Sequence, residues 1–329
     1  MPHITVLGAG ILGLWQALTL SRQGYRVRLV DPSENPNATS ASHHAGAMLA
    51  PYCEAEAAPP LVVEHGLRGL ALWREAYPDL IEAGTLVVAL PRDLPDLTQF
   101  AARTRGYQRL DAAGIAALEP DLGERFPAGL HYPDEAHMAT PHALALLLKN
   151  ARACGTEILF GDEAAGVAAS DILIDCRGMA ARTDLPRLRG VRGERLLIRS
   201  EDITLSRPVR LLHPRHPIYV VPWGDGRFLV GATMIESEED GPISLRSALD
   251  LMGAAYALAP AFAEAEILEA VAGVRPALPD NVPRATIRDG GQRIMVNGAY
   301  RHGFLLAPVL AEAVARWIAE KAPHPLLVT

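Results

Sequence analysis

His3-Ile4-Thr5-Val6-Leu7-Gly8-Ala9-Gly10-Ile11-Leu12-Gly13 reads as a short apolar strand that runs into a glycine turn, and Leu14, Leu18 and Leu20 carry helical spacing onward to Gly24. Val27, Leu29 and Val30 then form a second strand, which Asp31 closes. Each part has a task in holding a dinucleotide. Gly8 permits the tight turn, Gly10 lets the backbone approach a pyrophosphate, and Gly13 lets the helix lie against the strand. Ile11 and Leu12 supply backbone N–H groups at the positive end of the helix, and an acid about 20 residues on, here Asp31, meets the ribose hydroxyls. A bare G-x-G-x-x-G is weak evidence. With a strand before it, a helix after it and the acid in place, it predicts dinucleotide binding, although the pattern leaves FAD and NAD equally open.

The rest of the composition narrows the partners. A chain of 329 residues with 49% apolar and 21% charged residues is globular, with a prior of about two domains. Against 38 Asp and Glu there are 31 Lys and Arg, a formal net charge of −7, so neither nucleic acid nor an anionic membrane is an expected partner. No Lys or Arg precedes Arg22 and no stretch approaches about 18 uninterrupted apolar residues, which predicts an unexported, cytoplasmic protein. Cys53, Cys154 and Cys176 are too few and too scattered for a disulfide framework or a metal ligand set, so no metal is expected.

Along the chain, helices are predicted over about 60–77, 96–105, 141–153 with Thr140 as N-cap, 245–258 and 307–320. Strands are predicted at 86–90, 157–160, 172–175, 196–198, 218–221, 228–230 and 294–296, with Gly224-Asp225-Gly226 as a hairpin turn. Blocks of α/β and strand-rich character alternate without a flexible linker, which suggests two domains interleaved in sequence. The division drawn is 1–80, 136–190 and 272–329 for the dinucleotide domain, and 81–135 and 191–271 for a substrate domain.

Several segments, taken together and in order, resemble one family. They are Gly8 to Gly13, Thr39-Ser40-Ala41 through Ala47-Met48-Leu49-Ala50-Pro51, Tyr219-Val220-Val221-Pro222, Val230-Gly231-Ala232-Thr233-Met234, Gly273-Val274-Arg275-Pro276 and Tyr300-Arg301-His302-Gly303-Phe304-Leu305-Leu306-Ala307-Pro308. The set resembles the D-amino-acid-oxidase-like flavoproteins, in the branch that oxidises glycine for thiamine biosynthesis. The resemblance implies an α/β fold: a Rossmann-like FAD-binding domain with an interleaved α+β substrate domain on a mostly antiparallel sheet. It implies FAD, oxidative deamination of glycine or, failing that, of sarcosine or a small D-amino acid, dioxygen as electron acceptor with hydrogen peroxide as product, and a homo-oligomer. A flavoprotein scaffold without catalysis is the alternative of another class. Three departures stand out: a short stretch at 161–171 where the family has a β-meander, Asp175-Cys176-Arg177-Gly178 in place of an Ala-Thr-Gly-like turn, and His302 in place of an Asn.

Amino acid oxidation on a flavin needs an anchor for the carboxylate, and Arg275 is the natural one. Its guanidinium can form two parallel charge-assisted bonds, and Pro276 keeps its backbone extended. Tyr219 as a second carboxylate ligand, Arg301 as a third catalytic residue, and Met48, Met234 and Phe304 as pocket walls follow from the resemblance. So do the cofactor contacts at Thr39, Ser40, Ala45, Gly46, Ala47, Met48, Ala164, Arg177, Gly178 and Arg275. The run Arg301, His302, Gly303, Phe304, Leu305 lies just ahead of the expected last helix. Its free N–H groups and positive helix end would face the flavin, with Gly303 admitting a flat ring. His43 and His44 are out of register with the histidine to which some relatives attach flavin, so non-covalent FAD is expected.

Overall fold

The computed structural model describes residues 1–123, 125–164, 170–213 and 217–329. The strands form two large sheets and one two-stranded pairing. The first runs Leu327–Val328, Arg284–Arg288, Arg293–Asn297, Ile172–Asp175, His3–Leu7, Arg26–Asp31, Glu157–Phe160. Its centre is parallel: Ile4 is in register with Val27 on one side and Ile172 on the other, and Ile294 with Ile174. The helices Ile11–Arg22, Pro60–Ala76, Thr140–Ala153 and Gly303–Glu320 contribute to its core, which includes Ile4, Val6, Leu14, Leu18, Trp73, Leu147 and Leu310. Burying each such side chain is worth about 1.5–3 kcal/mol.

The second sheet has the order Glu266–Ala277, Arg189–Arg199, Arg227–Gly231, Ile218–Gly224, Val209–Leu212, Thr85–Ala89, Ala128–Tyr132, Gln108–Asp111. Only the pairing of Val209–Leu212 with Thr85–Ala89 is parallel. Strand alternation gives its faces different partners. Leu196, Ile198, Val220, Phe228 and Val230 pack in one core with the helix Leu245–Leu258. Leu197, Val221, Trp223 and Leu229 point the other way and meet Met48, Ala139 and Tyr219. Gly224, Asp225 and Gly226 all have positive φ, as the expected hairpin turn requires. The two longest strands, Arg189–Arg199 and Glu266–Ala277, pair with one another along the edge of this sheet.

Several helix starts differ from expectation, two of them with a hydrogen bond that accounts for the local arrangement. The last helix begins at Gly303, four residues before Ala307, and carries Pro308 inside it. Pro308 has no N–H for the carbonyl of Phe304. The Trp73 indole Nε1–H donates to that carbonyl instead, at 2.6 Å, so the helix continues without an orphaned acceptor. Thr140 is not an N-cap. It is the first helical residue, and its hydroxyl donates to the Ala45 carbonyl at 2.5 Å. The helix expected over 96–105 occupies Leu94–Arg103, and the strand expected over 86–90 is Thr85–Ala89. Strands at Gln108–Asp111, Ala128–Tyr132, Val209–Leu212 and Arg284–Arg288 were not foreseen.

Candidate cofactor and substrate site

The glycine turn folds as its sequence demands. A Cβ on Gly13 would overlap the carbonyl of Gly8, so helix and strand approach as only glycine allows. The helix Ile11–Arg22 has Gly10 as its N-cap residue, which offers no side chain, and no acid in its first turn, so its positive end suits an anion. Asp31 stands beside the turn, where its carboxylate accepts from the N–H groups of Ala9 at 2.7 Å and Ser33 at 2.9 Å. Ser42, which the sequence reading passed over, receives the N–H of Ile11 at 2.9 Å. The Ser40 hydroxyl is buried among the described residues without a hydrogen-bond partner, and Thr39 donates to Ser33. An orphaned hydroxyl beside a helix end whose Leu12 and Gly13 N–H groups lack intrahelical acceptors suits a phosphate ester that completes both.

The last helix brings a second positive end to the same place. A Cβ on Gly303 would press on Ile11 Cγ2 at 3.4 Å, so the two helix starts touch. Gly303, Phe304 and Leu305 are therefore not ahead of the helix but in its first turn, and their N–H groups have no intrahelical acceptors. The Phe304 ring is buried in the core and stacks on Trp73 with centroids 6.0 Å apart. His302 is buried at the helix start, and burial pushes its imidazole down to about 4.

Between the two sheets runs the segment Ala45, Gly46, Ala47, Met48. A Cβ on Gly46 would touch Val221 and Leu229 of the second sheet, Ala47 takes a left-handed φ of 49°, and Met48 pairs with His137. His44 lies over Gly273, and burial lowers its imidazole to about 4, with Arg195 adding to the shift. Ala164 ends a short turn after Glu157–Phe160, the strand next to Asp31. The rest of the shortened stretch falls partly on 165–169, outside the described residues. Gly178 has a φ of 57° and its carbonyl accepts from Asn297. The Arg177 guanidinium is held by Asp175 and Asp184, and Arg293 pairs with the same two acids.

The substrate side collects Arg275, Tyr219, Arg301 and Met234. The Arg275 guanidinium lies over Gly193 on the adjacent strand, where a Cβ would overlap it. Its Nη1 donates to the Thr233 carbonyl at 3.1 Å, and among the described residues no carboxylate pairs with it. Loss of water and the neighbouring Arg301 lower it to about 10, so it stays cationic near neutrality. Arg301 is anchored differently. Its Nη2 donates to Glu54 at 3.0 Å and to the Tyr219 oxygen at 3.2 Å, and Nη1 lies 3.4 Å from Met234 Sδ. Tyr219 donates to the same Glu54 oxygen at 2.5 Å. Burial pushes the Glu54 carboxyl up, but Arg301, Arg210 and His302 outweigh it and hold the group down at about 2. Met234 is 54% exposed at the rim and Met48 is deeper. Glu54 was missed because nothing in Cys53-Glu54-Ala55-Glu56 marks one acid from another until the chain is folded. Among the described residues there is no cluster able to hold a metal and no helix long and apolar enough to cross a membrane.

The arrangement is two adjoining positive helix ends, an acid at the ribose position and a free guanidinium on the second sheet. The residues present therefore fit FAD and a small carboxylate. Comparison with known proteins agrees. A protein of Rhizobium etli named as a thiamine biosynthesis oxidoreductase, ThiO, is 48% identical over 98% of both chains. A glycine oxidase of Geobacillus kaustophilus is 25% identical over 97% of this chain and 93% of its own. The crystal structure of glycine oxidase from that organism superimposes with a TM-score of 0.82 at 22% identity, covering 100% of this chain and 98% of the other, and so shares the fold. The family model described as DAO, FAD dependent oxidoreductase, matches residues 3–317, and the chain belongs to that family of FAD-binding enzymes.

Proposed function

We propose that this enzyme oxidises glycine to its imine, which water converts to glyoxylate and ammonia, with dioxygen taking up the electrons as hydrogen peroxide. The observation that carries the reading is Arg275: a desolvated guanidinium with most of its fork uncommitted, laid flat over Gly193 on the second sheet. A planar cation held in this way matches a carboxylate by two parallel bonds. Tyr219 and Arg301, fixed by Glu54, stand beside it to orient the same carboxylate, and Met234 closes the rim next to Arg301. Bound FAD supplies the two-electron acceptor for the hydride on Cα. The chain's own contribution is to bind, orient and dry the substrate, whose amine gives up its extra proton to solvent beforehand.

The names of the relatives support glycine as substrate and thiamine biosynthesis as the setting. We take FAD to be non-covalent, since His44 is engaged with Gly273 and Arg195. A cytoplasmic homo-oligomer completes the proposal. A panel of glycine, sarcosine and D-alanine with peroxide detection tests the substrate. Glycine is expected to give the highest kcat/KM; higher values with sarcosine would make the protein a secondary-amine oxidase. No turnover with any of them would leave a flavoprotein scaffold.

A further inference from the structure

We propose that Glu135 is a positioning residue for the carboxylate-binding group: it holds the backbone of Tyr52 and Cys53, and thereby sets Glu54, Arg301 and Tyr219. The proposal rests on the reading of Arg275, Tyr219 and Arg301 as the site of a small carboxylate.

Glu135 is fully buried, in the turn between the strands Ala128–Tyr132 and Ala136–His137. The second of these pairs with Met48–Leu49, Leu49 opposite Ala136, so Glu135 is delivered beside the chain that follows Leu49. One of its oxygens accepts both the Tyr52 N–H at 2.9 Å and the Cys53 N–H at 2.6 Å. The turn they belong to is closed by the Glu54 N–H on the Ala50 carbonyl at 3.0 Å and leads into the short helix Glu54–Glu56. The next residue after the gripped pair is Glu54, whose single oxygen Oε1 receives both Tyr219 at 2.5 Å and Arg301 at 3.0 Å. The path from Glu135 to the substrate groups is thus two hydrogen bonds, one peptide unit and two more hydrogen bonds.

The rest of the Glu135 carboxyl is buried with the Thr85 hydroxyl as its side-chain neighbour. A buried acid is costly, and an apolar residue of similar size often serves stability as well or better. What an apolar residue cannot do is accept two N–H groups. Burial raises the carboxyl to about 8, and a neutral carboxyl still offers its carbonyl oxygen to both donors. A glutamine amide oxygen can do the same.

The test uses the FAD-loaded enzyme and two readouts: KM and kcat for glycine, and the affinity for glycolate read from perturbation of the flavin spectrum. Glu135→Leu is expected to weaken glycolate binding and raise KM about tenfold or more with FAD content unchanged, while Glu135→Gln stays within about threefold of the parent. Because Glu135 acts through Glu54, the double variant Glu54→Gln/Glu135→Leu should be no weaker than Glu54→Gln alone. If Glu135→Leu fails to fold, Glu135→Asp, one methylene too short to reach both N–H groups, should shift glycolate binding in the same direction. Unchanged glycolate binding in Glu135→Leu or Glu135→Asp, or losses that multiply in the double variant, would overturn the proposal. Failure of the parent to oxidise glycine would instead count against the substrate, since glycolate binding still reads the positioning.

Discussion

Replacement of Arg275 by alanine removes a cation that the structure holds ready and does not use. One of its N–H groups is on the Thr233 carbonyl, and no carboxylate among the described residues competes for the rest. A substrate carboxylate can therefore take two charge-assisted bonds, at about 1.5–3 kcal/mol each. Solvent entering the vacated space recovers part of this, so Arg275→Ala should lose roughly 3–5 kcal/mol, a fall of about 10² to 10⁴ in kcat/KM. If the grip is equal in ground and transition states, most of the loss falls on KM, and FAD content is unchanged. Arg275→Lys should recover only part, because a point charge cannot reproduce the planar fork. Gly193→Ala gives an independent check: its Cβ would occupy the place of the guanidinium, so it should raise KM without touching Arg275 itself. Steady-state kinetics on glycine with FAD-saturated variants decides the matter. A near-normal KM for Arg275→Ala would refute the reasoning and move the carboxylate to Arg301.

Four other outcomes are expected. Trp73→Phe leaves the Phe304 carbonyl without a donor at Pro308 and should cost about 1–3 kcal/mol in urea unfolding, whereas an unchanged midpoint would mean the carbonyl finds another partner. Burial, with a smaller push from Glu54, raises the Glu135 carboxyl from 4.5 to about 8 against the hydrogen bonds from Cys53, Thr85 and Tyr52, so the folded state keeps a proton that the unfolded state has lost between those values and stability falls as pH rises through that window. Glu135→Gln should flatten this slope and gain in melting temperature relative to the parent at pH 9 compared with pH 5; parallel profiles would contradict it. The value of kcat/KM for glycine should rise with pH toward the amine pKa and level off, and a flat profile with flavin reduction limiting would exclude the neutral amine as the reacting form. Heat or acid should release intact FAD into the supernatant, while colour retained on the precipitated chain would point to His43 or His44.

The nucleotide half was legible because its residues carry their reasons locally. Gly8, Gly10, Gly13 and Asp31 follow from turn geometry and helix-end charge, and the fold realises them in order. The helix start at Gly303 was hidden, because Pro308 is tolerated only through the Trp73 indole, more than 200 residues away in sequence. The stacking of Phe304 on that same tryptophan was hidden for the same reason, as was the pairing of Arg177 with Asp184 and of both acids with Arg293. Glu54, Ser42, Gly193 and Glu135 act through contacts between distant segments, and no spacing along the chain announces such contacts. Arg275 was legible from its chemistry, while the freedom of its fork became visible only with the sheet register that places Gly193 beneath it.

The most direct measurement is the visible spectrum of the FAD-loaded enzyme mixed with glycine in the absence of oxygen. The flavin absorbance should bleach fully with glycine and return when dioxygen is admitted, with peroxide formed in proportion. A spectrum that glycine leaves unchanged, while sarcosine or another amine bleaches it, would contradict glycine as the substrate; a spectrum that no amine bleaches would contradict amine oxidation itself.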